Sequence, residues 1–226
     1  MIRQHYEKEL QRLQDELLLM GSMVNQALRQ AVEILKRQDL AAAQQLITDD
    51  KTINRRRFAI EDAVLTLIAT QQPMARDMRF LAAVLELSSE LERIGDYAKG
   101  IARITIYLGQ DPVVKPLIHI PQMCAIVNEM LRMALDAFIN LDVTTARQIP
   151  HEDDKVDELY NTVNRELIQL VIANPSIMDR ANYFSWAAHN LERAADRVVN
   201  ICERIVYTAT GEFIEMDVEE GLVSIS

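Results

Sequence analysis

Cysteine is nearly absent from this 226-residue chain: Cys124 and Cys202 stand far apart and outside any Cys-x-x-Cys spacing. That excludes a disulfide framework and a thiolate zinc site, and it fits a reducing, cytoplasmic setting. No apolar run approaches the roughly 20 residues a membrane span needs, and the start is charged from its third residue, so neither secretion nor membrane insertion is expected. Positive charge is also short, with 24 Lys plus Arg against 34 Asp plus Glu and a formal net charge of −10. A general nucleic-acid binder needs the opposite sign, whereas cations and basic partner surfaces suit this balance. Aromatics make up only 5% and glycines number six, as expected where Leu, Ile, Val, Ala and Met pack helix on helix. No nucleophile elbow, phosphate-cradling glycine loop or triad-like arrangement occurs, so the expectation is a protein that is not an enzyme.

What is present is helical periodicity. Apolar residues recur at steps of three and four along Tyr6, Leu10, Leu13, Leu17, Met20, Val24, Ala27, Ala31 and Ile34, one stripe down one helix. Asp39 has the residue type of an N-cap for a second helix, which Gln71-Gln72-Pro73 ends. A third stripe runs Phe80, Val84, Leu87, Leu91, Ile94, Ala98, Ile101, Thr105 and Leu108, up to Gly109. This reads as a three-helix bundle over 1–110, a proline-rich connector over 111–121, a second three-helix bundle over 122–211 and a loosely held acidic tail over 212–226. Pro150 predicts a kink in the fifth helix. Tyr183 and Trp186 read as core or interface aromatics, and Arg55-Arg56-Arg57 as a solvated helix face, with partner or phosphate contact as the alternative.

The second half repeats the first. Val24-Asn25-Gln-Ala-Leu28-Arg29-Gln-Ala31 aligns with Val127-Asn128-Glu-Met-Leu131-Arg132-Met-Ala134 at an offset of 103, and Leu91-Glu92-Arg93-Ile-Gly-Asp96 with Leu191-Glu192-Arg193-Ala-Ala-Asp196 at an offset of 100. The fold expected is therefore all-α, two tandem three-helix bundles of six long helices related by a pseudo-two-fold operation. Matched apolar positions are core, but matched acids need another reason. Glu92 and Asp96 are four apart, as are Glu192 and Asp196, so each pair lies on one helix face. Asp50 with Asn54, and Asp153 with Asp157, repeat that spacing on the second helix of each half. Converging carboxylates repel, so a counter-charge is required. A metal ion satisfies this: Mg, Ca or Mn by oxygen preference, Fe or Zn in mixed or multinuclear sites. Arg93 and Arg193, three residues before Asp96 and Asp196, supply the metal-free alternative. A di-iron enzyme ranks lower, because no Glu-x-x-His occurs; of the histidines, only His189 stands close enough to Glu192 to join a site.

Met74-Ala-Arg-Asp-Met-Arg-Phe80, Glu90-Leu-Glu-Arg-Ile-Gly-Asp96-Tyr-Ala-Lys-Gly-Ile101 and Asn190-Leu-Glu-Arg-Ala-Ala-Asp196 resemble the third-helix signature of the PhoU family. The resemblance spans nearly the whole chain. It implies a cytoplasmic negative regulator of the phosphate-starvation response, recruited to the inner membrane face through its partners. Those partners are a phosphate ABC transporter, through its ATPase subunit, and a sensor histidine kinase. It also implies a homodimer and bound metal, with Glu92, Asp96, Glu192 and Asp196 as first ligands and Asp50, Asp153 and Asp157 next. Asn54 departs from the acidic form and weakens the first site by one charge, so the second half is the better place to expect a metal. A metal-free helical adaptor is the remaining alternative.

Overall fold

Asp39 and Asp142 show how a repeated sequence becomes a repeated structure. In the computed structural model, which describes residues 2–110 and 118–216, each of these aspartates sits in extended backbone ahead of a helix. Each accepts a hydrogen bond from the N–H three residues on, Ala42 at 3.0 Å and Thr145 at 3.1 Å. The residue before each is left-handed, Gln38 at φ 53° and Leu141 at φ 49°. The 103-residue offset thus carries one helical corner onto the other. Since a capping carboxylate satisfies an N–H that the helix leaves free, Asp39→Ala is expected to cost about 1 kcal/mol in a urea titration. Asp142→Ala is expected to shift the midpoint the same way, and an unchanged midpoint in either would show that its cap does not contribute.

The first half comprises α1 (Ile2–Arg37), α2 (Leu40–Gln71) and α3 (Ala75–Leu108). The second comprises α4 (His119–Asn140), α5 (Val143–Gln148), α6 (Pro150–Ala173) and α7 (Met178–Thr210), with a 3₁₀ turn at Pro175–Ile177. No strand occurs among the described residues. The stripes read from sequence are the core: Leu17, Met20, Val24 and Ala31 on α1, and Val84, Leu87, Leu91, Ile94, Ala98 and Ile101 on α3, are fully buried.

Three local expectations change. Pro150 does more than kink a helix: lacking an N–H, it interrupts the hydrogen-bond ladder and splits α5 from α6, while Ile149 between them keeps α backbone (φ −57°, ψ −40°). Part of the connector, residues 111–117, lies outside the described residues, but His119, Ile120 and Pro121 already belong to α4. Pro121 is tolerated because the first helical turn needs no N–H donors. The start of the tail is not loose, since Phe213 stacks on Tyr207 at 4.0 Å and the Met216 N–H donates to Glu203 Oε1 at 2.7 Å; residues 217–226 lie outside the described residues. Among the aromatics, Tyr183 stacks on Tyr107, whereas Trp186 packs edge-on against Tyr183 and stays 55% exposed.

The two halves share one core, joined through α1 against α4 and α3 against α7. Asn25 Nδ2 donates to the carbonyl of its own repeat counterpart, Asn128, at 3.0 Å. Nearby, where α1 crosses α4, a Cβ on Gly21 would meet the tip of the Leu135 side chain, which would have to turn aside. On the other pair, Gly100 faces Asn190, Glu90 meets Arg197 and Asn200, and Glu86 pairs with Arg204, so α3 and α7 run antiparallel. The 100-residue offset converts the Gly100–Asn190 contact into the Asn200–Glu90 contact, as a two-fold operation requires.

Candidate metal centre

The eight residues singled out by spacing fall into two groups, one in each half, where α2 packs on α3 and where α6 packs on α7. In the first half α2 brings Asp50 to the interface with 5% of its surface exposed. Gly95 of α3 lies opposite, where a Cβ would stand 3.2 Å from Ile53 and 3.8 Å from Asp50 Oδ1. The counter-charge here is a residue that the four-residue spacings do not mark. Lys99 Nζ lies 2.7 Å from Asp50 Oδ2 and 3.2 Å from Asp96 Oδ1. Its hydrogen bond to Asp50, opposed by burial and aided by Asp96, raises its pKa and keeps it charged. Asn54 Nδ2 donates to the same Asp50 oxygen at 3.2 Å. Burial foremost, then Asp96, raises the Glu92 pKa; Asp50 adds to this, while Arg57 and Arg93 oppose it. The first group is thus a mixed network with its own cations.

The second group is different. Burial first, then the Asp157, Asp196, Glu192 and Asp154 carboxylates, pushes Asp153 up to about 7. Asp157 is raised by burial and by Asp196 and Asp154. Glu192 is raised by burial, Asp196 and Asp157, with His189 and Arg193 opposing. His189 Nδ1 does reach Glu192 Oε2, at 3.0 Å. Arg193, expected as a local partner for Asp196, places its guanidinium over the Tyr97 ring of α3 at 5.8 Å. Asp153 Oδ1 is buried without a hydrogen-bond partner. A buried acceptor without a donor is costly, and carboxylates such as Asp153, Asp157, Glu192 and Asp196 are the donor type an oxygen-loving cation takes. They fit such an ion in type and number but not in present spacing. Among the described residues, no three His, Cys, Asp or Glu groups converge as a formed ligand set, so an ion could be held there only after side-chain rotation.

The run Arg55-Arg56-Arg57 is largely absorbed within the chain: Arg56 pairs with Glu16, and Arg57 pairs with Glu61 at 3.3 Å while lying over Phe58. Lys99 was legible as an i, i+3 neighbour of Asp96; its reach to Asp50, 49 residues away, was not. Both cysteines are buried, and burial pushes each thiol up to about 12, far from the thiolate a soft-metal site requires.

The PhoU domain pattern matches this chain twice, over residues 17–105 and 120–205. The chain belongs to the PhoU family. Relatives include the phosphate-specific transport system accessory protein PhoU homolog of Aquifex aeolicus (strain VF5), 35% identical over 92% of this chain and 94% of that protein. The accessory protein PhoU of Escherichia coli (strain K12) is 32% identical over 92% and 86% of the two chains. The crystal structure of the phosphate transport system regulatory protein PhoU from Streptococcus pneumoniae superposes with a TM-score of 0.86 at 31% identity, covering 93% of this chain and 99% of the other. The two PhoU segments each contain one acidic group, Asp50 to Asp96 and Asp153 to Asp196, so both groups belong to the family's repeated frame.

Proposed function

We propose that this PhoU-family chain is a cytoplasmic negative regulator of phosphate uptake and of the phosphate-starvation response, acting as a metal-binding helical scaffold. In this reading it links the ATPase subunit of a phosphate ABC transporter to a sensor histidine kinase and works as a homodimer. Family membership over both repeats carries the regulatory part, since the matched relatives are named as accessory or regulatory proteins of phosphate transport. The metal-binding part is supported by the second acidic group, with its orphaned Asp153 oxygen and mutually raised carboxylates. Asp153, Asp157, Glu192 and Asp196 would hold the ion, which supplies a compact positive charge there. No helix among the described residues is long and apolar enough to cross a membrane, so recruitment to the membrane would run through the transporter.

Pull-down of the tagged full chain from cells moved between phosphate-rich and phosphate-poor media tests the regulatory part. Recovery of the transporter ATPase and a histidine kinase is the expected result, and recovery of neither in both media would overturn the assignment. The metal-free adaptor reading draws on one specific observation, the internal lysine of the first acidic group.

A further inference from the structure

We propose that Lys99 is a built-in occupant of the first half's cation site, so that the chain carries one metal site where its duplicated frame offers two. This rests on the reading that the second half binds a metal ion. The contrast is atomic. Asp50 Oδ2 accepts from both Lys99 Nζ and Asn54 Nδ2, at 2.7 and 3.2 Å, whereas the equivalent Asp153 has an oxygen with no donor at all. An ammonium already seated between Asp50 and Asp96 repels a divalent ion approaching the same oxygens, and the nearly buried Asp50 has no solvent to replace it.

Repeat positions beside the two groups differ in charge. Lys51, Asn54 and Arg57 of α2 correspond to Asp154, Asp157 and Tyr160 of α6, and Lys99 of α3 to Val199 of α7. Each exchange makes the second half more negative or less positive. Against these stand Thr52 for Lys155, Tyr97 for Arg197, Glu90 for Asn190 and Ser89 for His189; Lys155 is taken up by Glu152 and Arg197 by Glu90, and His189 is charged only when protonated. The duplicated frame has therefore diverged into a half whose buried aspartate is met by a lysine and a half whose equivalent aspartate keeps an oxygen without a donor. The first holds its packing whatever the metal supply; the second changes its packing with the metal supply.

Metal-stripped full-length chain is loaded with MnCl2, exchanged into metal-free buffer, and its bound manganese and melting temperature are measured. Glu92→Ala with Asp96→Ala is expected to leave bound manganese unchanged, while Glu192→Ala with Asp196→Ala removes it. Asn54→Asp with Lys99→Met is expected to bind about one additional ion per chain and to regain, on adding Mn²⁺, the melting temperature it loses in chelator. If that variant does not fold in chelator, refolding on addition of Mn²⁺ is the readout. Equal manganese loss from the two alanine pairs, or no gain of manganese and no recovery in Asn54→Asp with Lys99→Met, overturns the proposal. Should wild type bind no manganese while that variant acquires it, the second-half site fails and the role of Lys99 stands.

Discussion

Glu90→Ala is expected to be among the most destabilising single changes on the polar residues of this chain, at about 3 kcal/mol. Glu90 is nearly buried where α3 crosses α7, with Arg197 Nη1 at 3.5 Å and Asn200 Nδ2 at 3.4 Å from its Oε2. Truncation leaves the Arg197 guanidinium, only 17% exposed, without that counter-charge at the contact joining the halves. Breaking a buried pair costs more than the pair itself contributes, because the remaining charge stays desolvated. For a chain of this size the corresponding drop in melting temperature is roughly 6–12 °C. Glu90→Gln, which keeps an acceptor for Asn200, is expected to lose less. A drop under about 2 °C in Glu90→Ala, measured by calorimetry, would show that this polar contact does not hold α3 to α7.

Asp153→Asn is expected to act in the opposite direction, raising the stability of metal-free protein at pH 8. The folded state lifts Asp153 from an ordinary 3.8 to about 7, so it binds a proton more tightly than the unfolded chain does. The stabilisation from that proton is complete below about pH 4 and lost as pH rises through about 7. Above that range Asp153 is a partly buried anion among Asp157, Asp196 and Glu192, and an amide of the same shape removes the repulsion. A rise from 3.8 to about 7 corresponds to about 4 kcal/mol without screening. With solvent screening of this partly exposed group, the gain is about 1–2 kcal/mol, or roughly 3–6 °C. Melting curves in chelator should show the variant ahead of wild type at pH 8 and level with it near pH 4. Saturating Mn²⁺ should stabilise wild type and do little for the variant. A variant no more stable than wild type in chelator at pH 8 would mean that Asp153 is not electrostatically crowded.

Much of this was legible before any coordinates. A helix announces its buried face through local spacing, so the stripes on α1 and α3 name core residues directly, and residues Asp39 and Asp142 mark their corners because capping is decided within three residues. The repeat also located both acidic groups. What spacing does not contain is contact between distant segments. The antiparallel register of α3 on α7, the reach of Lys99 to Asp50 and the stacking of Phe213 on Tyr207 follow from how whole helices meet. Charge balance was legible only in part for the same reason. Arg93 and Arg193, the sequence neighbours of the acids, do act on Glu92 and Glu192, but the cation seated on Asp50 is Lys99, and Arg193 also lies over Tyr97. Pro150 was visible as a disruption, and the missing N–H made it a full break in the ladder.

Elemental analysis of protein purified without added metal bears most directly on the second-half site. Wild type is expected to carry a bound divalent or trivalent metal, and Glu192→Ala with Asp196→Ala to lose roughly nine-tenths of it or more, since even an outer-shell change costs about 10–100-fold in metal affinity. Equal metal content in the two proteins, or none in wild type even after loading with Mn²⁺, would contradict the site.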